Sequence, residues 1–219
     1  MTDNHHPDQS GYQTDERGRD DISLHSHHFS GVLSRSGLSL DRESLCRVFT
    51  WALNNGGWLE HDFSRPAGQT FNPRPARVGI ILINDLGADS QELLEAGLAS
   101  SVALPGDRAL PGCELLLPQA AELVDDYQRF SIDDVSRLLA TERGLGVAKV
   151  ILANYLDRTR QIHRRQDEDR ADYWRKVYQE REPYFRLAEH LGGVVENYLK
   201  QWLWRFELRI RREEAGSVK

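Results

Sequence analysis

The side chains able to hold a metal or move a proton are few in this chain, and their spacing suits the task poorly. Histidines cluster at His5 and His6, and again at His25, His27 and His28. Imidazole is a good ligand for zinc or nickel, and His-rich tracts bind such ions without a fold around them. A dedicated zinc site asks for more, typically four ligands at set spacing. No cysteine or carboxylate at fixed helical spacing accompanies these histidines, so a solvated segment is the reading they favour. His61-Asp62 places two ligand types side by side, in a stretch that also carries Pro66, Gly68 and Pro73. One pair does not complete a coordination shell, and surface loop outweighs ligand here. Cys46 and Cys113 are too few for a disulfide framework or a zinc pattern, and are expected as reduced thiols.

The 219 residues suffice for one domain with appendages and a substantial core. A net charge of -6 argues against non-specific binding to nucleic acid or to an anionic membrane. No apolar run approaches the ~20 residues of a membrane-crossing helix. The opening MTDNHHPDQSGYQTDERGRDD lacks the apolar centre of a secretory signal. These features point to a cytoplasmic protein. Residues 1–30 are expected as a disordered polar tail, 31–210 as the folded domain, and 211–219 as a solvated C-terminal tail.

Helical periodicity accounts for the rest. Asp41 is placed to cap a helix whose stripe is Leu45, Val48, Phe49, Ala52 and Leu53, with Asn55-Gly56-Gly57 as its stop. Trp58 to Pro73 then reads as a long loop. Pro75 suits the first turn of a second helix carrying Val78, Ile81, Leu82 and Leu86, ended by Gly87. Asp89 or Ser90 caps a third, where Leu93, Leu94, Gly97 and Leu98 face inward and small residues allow close helix approach. Further helices are expected at 114–127, at 131–141 with Ser131 and Asp134 as a capping pair, and at 147–166. One more is expected over 167–191, interrupted near Pro183, and a last one after Gly192-Gly193. That last helix carries Val194, Val195, Tyr198, Leu199, Trp202, Leu203 and Phe206, a wide aromatic stripe read as core rather than partner surface. Trp58 and Trp204 stand apart as single aromatics that could sit in a contact. No segment alternates like a strand, and the fold is expected to be all-α.

Two stretches carry a family resemblance. The first is Gly68-Gln69-Thr70-Phe71-Asn72-Pro73-Arg74-Pro75, running into Ala76-Arg77-Val78-Gly79-Ile80-Ile81-Leu82, then Leu86-Gly87-Ala88-Asp89, then Leu94 to Pro105. The second is Ile151 to Arg160, followed by Tyr184-Phe185-Arg186-Leu187-Ala188-Glu189-His190-Leu191-Gly192. Together they resemble the HD-domain hydrolase of the RelA/SpoT family, which removes the 3′-pyrophosphate of (p)ppGpp, over about residues 41–195. The resemblance implies an HD-domain-like helical bundle. In length the chain is closer to the small stand-alone hydrolases of that family, and no synthetase domain is expected after it.

In that family a divalent ion, usually manganese, is held by a His, a His-Asp pair and a later Asp. The matching positions here are Arg74, Ser100-Ser101 and Asn154. The acidic pair that helps activate water falls on Leu104 and Pro105, and the downstream Asn on Arg158. Guanidinium has no lone pair for a metal, and neutral Ser and Asn are weak ligands that do not offset its charge. The resemblance therefore implies a pseudoenzyme with no resident metal and no catalytic residue, acting through a protein partner or as a homo-oligomer. Two alternatives stay open. In one, Arg74, Arg158, Ser100 and Ser101 bind the phosphate of a nucleotide such as (p)ppGpp. Against it stands a closed pocket in which Arg74 pairs with a local carboxylate such as Asp157. In the other, activity persists at a relocated metal site around His61-Asp62 with His25, His27 or His28.

Overall fold

A computed structural model describes the backbone of residues 29–57, 73–102, 112–131, 135–161 and 170–216. Among the described residues there are helices and no strand, so the fold is all-α. The first helical segment, α1, covers 29–35. Phe29 has only 1% of its surface exposed and stacks on Phe49 at 5.3 Å between ring centres. The folded part thus begins before residue 31, inside the stretch assigned to the tail. Phe29, Val32 and Leu33 are spaced as one helical face, and that face is buried.

Helix α2, Arg42–Ala52, starts as expected. The Asp41 carboxylate accepts from the backbone N–H of Glu43 at 3.0 Å and of Ser44 at 3.1 Å. Its end differs: after Ala52 the chain widens into a π-helical turn, Leu53–Gly57, that takes in both glycines. Helix α3, Arg74–Asn84, has Pro75 in its first turn and no side-chain cap. Helix α4, Gln91–Ser100, is capped by Ser90, whose hydroxyl accepts from the Leu93 N–H. Every residue of α4 from Leu93 to Ser100 is buried. A Cβ on Gly97 would overlap the Leu82 side chain of α3. That glycine lets α3 and α4 approach closely.

The next helices depart from expectation in their ends. A short 3-10 turn, Cys113–Leu115, precedes α5, Pro118–Gln128, so the helix begins four residues later than residue 114. Pro118 fixes that start, since its ring fits only the first turn. Of the described residues in 131–141, those of α6, Val135–Leu138, are helical; 132–134, Asp134 among them, lie outside the described residues. Helix α7, Glu142–Gln161, begins five residues before Val147. The Thr141 hydroxyl accepts from the Gly144 N–H at 3.0 Å, and this cap carries the helix through two glycines. The expected 167–191 helix is two, α8, Arg170–Gln179, and α9, Arg181–Leu191, broken at Glu180 rather than at Pro183. Pro183 lacks the N–H that a continuous helix would donate to the Gln179 carbonyl, so the break falls ahead of it.

Gly192 and Gly193 both take positive φ, 67° and 66°, and turn the chain into α10, Gly193–Gly216. Val195, Leu199, Trp202 and Phe206 are buried along one stripe, whereas Val194, one residue off it, is 66% exposed. The helix also runs through residues expected as tail from 211. Arg and Glu there are good helix formers, and polarity alone does not end a helix. The stripe joins the core through aromatic contacts. Tyr155 stacks on Tyr184 at 3.9 Å and meets Trp202 edge-on at 6.3 Å; Trp202 stacks on Phe206 at 5.5 Å. Helix α4 lies among α2, α3, α5 and α7, and the α3–α7 contact carries the polar residues of interest.

Candidate functional site: a guanidinium at the α3–α7 crossing

Three elements bring Arg74, Asn154 and Ser100 into one hydrogen-bonded chain, with Ser101 next to Ser100 in sequence. The first turn of α3 supplies Arg74, the C-terminal end of α4 supplies Ser100 and Ser101, and the middle of α7 supplies Asn154. Arg74 donates through Nη2 to Asn154 Oδ1 at 3.0 Å. Asn154 donates in turn through Nδ2 to Ser100 Oγ at 2.8 Å and to the Val150 carbonyl at 2.9 Å. Ser100 donates to the Gly97 carbonyl and Ser101 to the Leu98 carbonyl. The result is a hydrogen-bonded chain running from a half-buried guanidinium to the interior of α4.

This donor set does not fit a divalent ion. Asn154 Oδ1, its one good ligand atom, accepts from a cation already present in the side chain of Arg74. Both serine hydroxyls are tied to carbonyls of their own helix. Among the described residues, no group of three or more His, Cys, Asp or Glu is placed to hold a metal ion. His5, His6, His25, His27, His28, His61-Asp62, Leu104 and Pro105 lie outside the described residues.

Asp157 goes to a different arginine than the one expected. Arg77 donates Nε to Asp157 Oδ1 at 2.6 Å and Nη2 to Oδ2 at 3.1 Å, a two-bond pair that is nearly buried. Arg74 and Arg77 are one turn apart on α3, and Asn154 and Asp157 are one turn apart on α7. The two contacts are thus consecutive rungs of one crossing. The matched spacing of three residues was visible in the sequence, but Arg77 was not singled out from it. Among the described residues no carboxylate lies within ion-pair distance of Arg74.

Arg158 stands one further turn along α7 from Asn154. Its Nη2 donates to Glu180 Oε2 at 3.0 Å, with both side chains about 30% exposed. Burial raises the pKa of Tyr127, and the charges of Arg74 and Arg158 oppose that rise. Tyr184, also raised by burial, is held lower by Arg158. Two members of the expected phosphate-binding set drop out: Ser100 and Ser101 are fully buried with their protons committed. The half-exposed polar groups around the crossing are Arg74, Arg158, Glu180 and Tyr184. No family model, curated protein or solved structure matches the chain.

Proposed function

We propose that this is a catalytically inactive HD-type protein with a regulatory, structural or partner-binding role. One observation supports it: of the four positions that the RelA/SpoT resemblance assigns to metal ligands, three are joined by hydrogen bonds as Arg74–Asn154–Ser100, and the fourth, Ser101, follows Ser100 in the chain. Convergence is what a shared ancestry requires, and the chemistry at the meeting point opposes a metal. Without an ion there is no acidified water and no clamp for a transferring phosphoryl group. Purified, metal-stripped protein tests this directly. Manganese is expected to leave its melting temperature unchanged, and (p)ppGpp with manganese is expected to remain intact. Manganese-dependent release of pyrophosphate would sink the reading.

A second role is favoured by the state of Arg74. A guanidinium that is half-buried and bonded to a neutral amide keeps its charge for an incoming anion. The crossing then serves as a pocket for the phosphate of a nucleotide, of the (p)ppGpp class or another. A ligand that binds only the folded state raises its melting temperature. GDP, GTP or ppGpp should therefore stabilise the wild-type protein without manganese and fail to stabilise Arg74→Ala. An equal shift in both proteins would remove Arg74 from the binding site.

A further inference from the structure

The pocket reading leaves one charge unexplained. Arg158, unlike Arg74, already has a carboxylate, and the residue that supplies it is Glu180, the break between α8 and α9. Glu180 makes no side-chain cap to α9, so its carboxylate does not serve the helix it precedes. Its backbone N–H donates to the Lys176 carbonyl at 3.0 Å, while its carboxylate accepts from Arg158 across on α7. Arg74 contacts Asn154, and Arg158 lies four residues further along the same helix, which places residues 154 and 158 side by side on one face at about 6 Å. The two guanidiniums therefore border the same patch, Arg74 bonded to a neutral amide and Arg158 to a carboxylate and to the Tyr184 hydroxyl.

We propose that Glu180 is a built-in competitor for the anion: a phosphoryl oxyanion bridges Arg74 and Arg158 by displacing the Glu180 carboxylate. This rests on the pocket reading and adds a consequence for regulation. The displaced residue is the joint between two helices. Tyr178 and Arg181 flank it, Arg181 lying 3.8 Å over the Tyr178 ring and donating to its carbonyl at 2.8 Å. Beyond the joint, Val177 is held to α7 through its carbonyl, which accepts from Tyr155 Oη at 3.1 Å. Anion binding would loosen the joint while leaving α7 in place, and so turn occupancy of the pocket into a change at the α8–α9 surface.

The test uses inorganic pyrophosphate as probe, with GDP as a second source of the same group, in calorimetric titrations at low ionic strength. Wild type, Glu180→Gln and Arg74→Ala are compared. Removing a half-exposed ion pair that competes with the ligand should tighten both probes about fivefold in Glu180→Gln. Arg74→Ala should lose both. Amide hydrogen exchange of the wild-type protein gives an independent readout, with faster exchange expected over 177–183 once pyrophosphate is bound. Binding that is equally tight in wild type and Glu180→Gln, with exchange unchanged, overturns the competition while leaving the pocket intact. Absence of binding in both proteins overturns the pocket itself.

Discussion

Arg77 and Arg74 are one helical turn apart, point at the same neighbouring helix, and have opposite surroundings. Arg77 meets a carboxylate through two short hydrogen bonds, with 12% and 4% of the two side chains exposed. Arg74 meets an amide through one hydrogen bond and remains half-buried. The inner rung is closed electrostatically: charge meets charge, and each remaining donor or acceptor position has less reason to seek a ligand. The outer rung leaves the positive charge of Arg74 facing a neutral amide. A buried ion pair of the first kind does not by itself mark function, since such pairs serve register as often as chemistry. The member bonded to a neutral amide is the informative one, because its half-solvated charge has no carboxylate to offset it and remains available to an anion.

The largest expected effect breaks the inner rung. Asp157→Ala leaves Arg77 charged and desolvated, and removing one partner of such a pair costs about 3–5 kcal/mol. Urea unfolding should show that loss with little change in slope. An effect below about 1 kcal/mol would mean that the pair is open to water and the contrast with Arg74 is false. Arg74→Met should cost about 1 kcal/mol or less, since it removes one hydrogen bond and a half-solvated charge. The same variant should abolish stabilisation by nucleotide. Asn154→Asp sharpens the contrast further by giving Arg74 the carboxylate it lacks. Stability is expected to move by no more than about 1 kcal/mol, while the response to phosphate disappears. Retained phosphate binding in Asn154→Asp would show that the charge of Arg74 is not what the ligand reads.

Much of the helical order was legible because it is written in local chemistry. Asp41, Ser90 and Pro75 each announce a helix start by means confined to one turn, and all three stand where expected. What escaped depends on tertiary context. Glu95 sits within the α4 run of apolar and small residues, yet it is fully buried. It accepts from Ser44 Oγ at 3.1 Å, Gln91 Nε2 at 2.8 Å and the Leu117 N–H at 2.7 Å. Gln91 lies one turn back on the same helix, but Ser44 on α2 and Leu117 just ahead of α5 are far off in sequence, and no periodicity finds them. Replacing Glu95 with Ala should cost about 2–4 kcal/mol through the donors left buried, measured by the same urea titration. Phe29 was missed for the opposite reason: its polar neighbours obscured a face of three residues. At the site, the Arg74–Asn154–Ser100 chain joins residues far apart in sequence, and it and the contacts of Arg77 and Glu180 could be assigned only once the helices were crossed.

The smallest effect follows the unpaired charge itself. Burial raises the pKa of Tyr127 above the ordinary value of 10.0, and Arg74 and Arg158 act against it. A group whose folded-state pKa is raised contributes its full stability below the unfolded value. That contribution is lost as pH rises through the folded value, because over that window the folded protein holds a proton the unfolded chain has released. Stability should therefore fall above pH 10, by up to about 1.4 kcal/mol per pH unit for each such group. Tyr155 and Tyr184 are raised by burial too and act in the same direction, so the difference between wild type and Tyr127→Phe isolates the one tyrosine. The variant should show a shallower alkaline loss. In Arg74→Met, phenolate absorbance should develop at higher pH than in wild type, since the cation that favours the tyrosinate is gone. Identical curves for Arg74→Met and wild type would place that guanidinium's charge in solvent, and with it the case for an anion pocket.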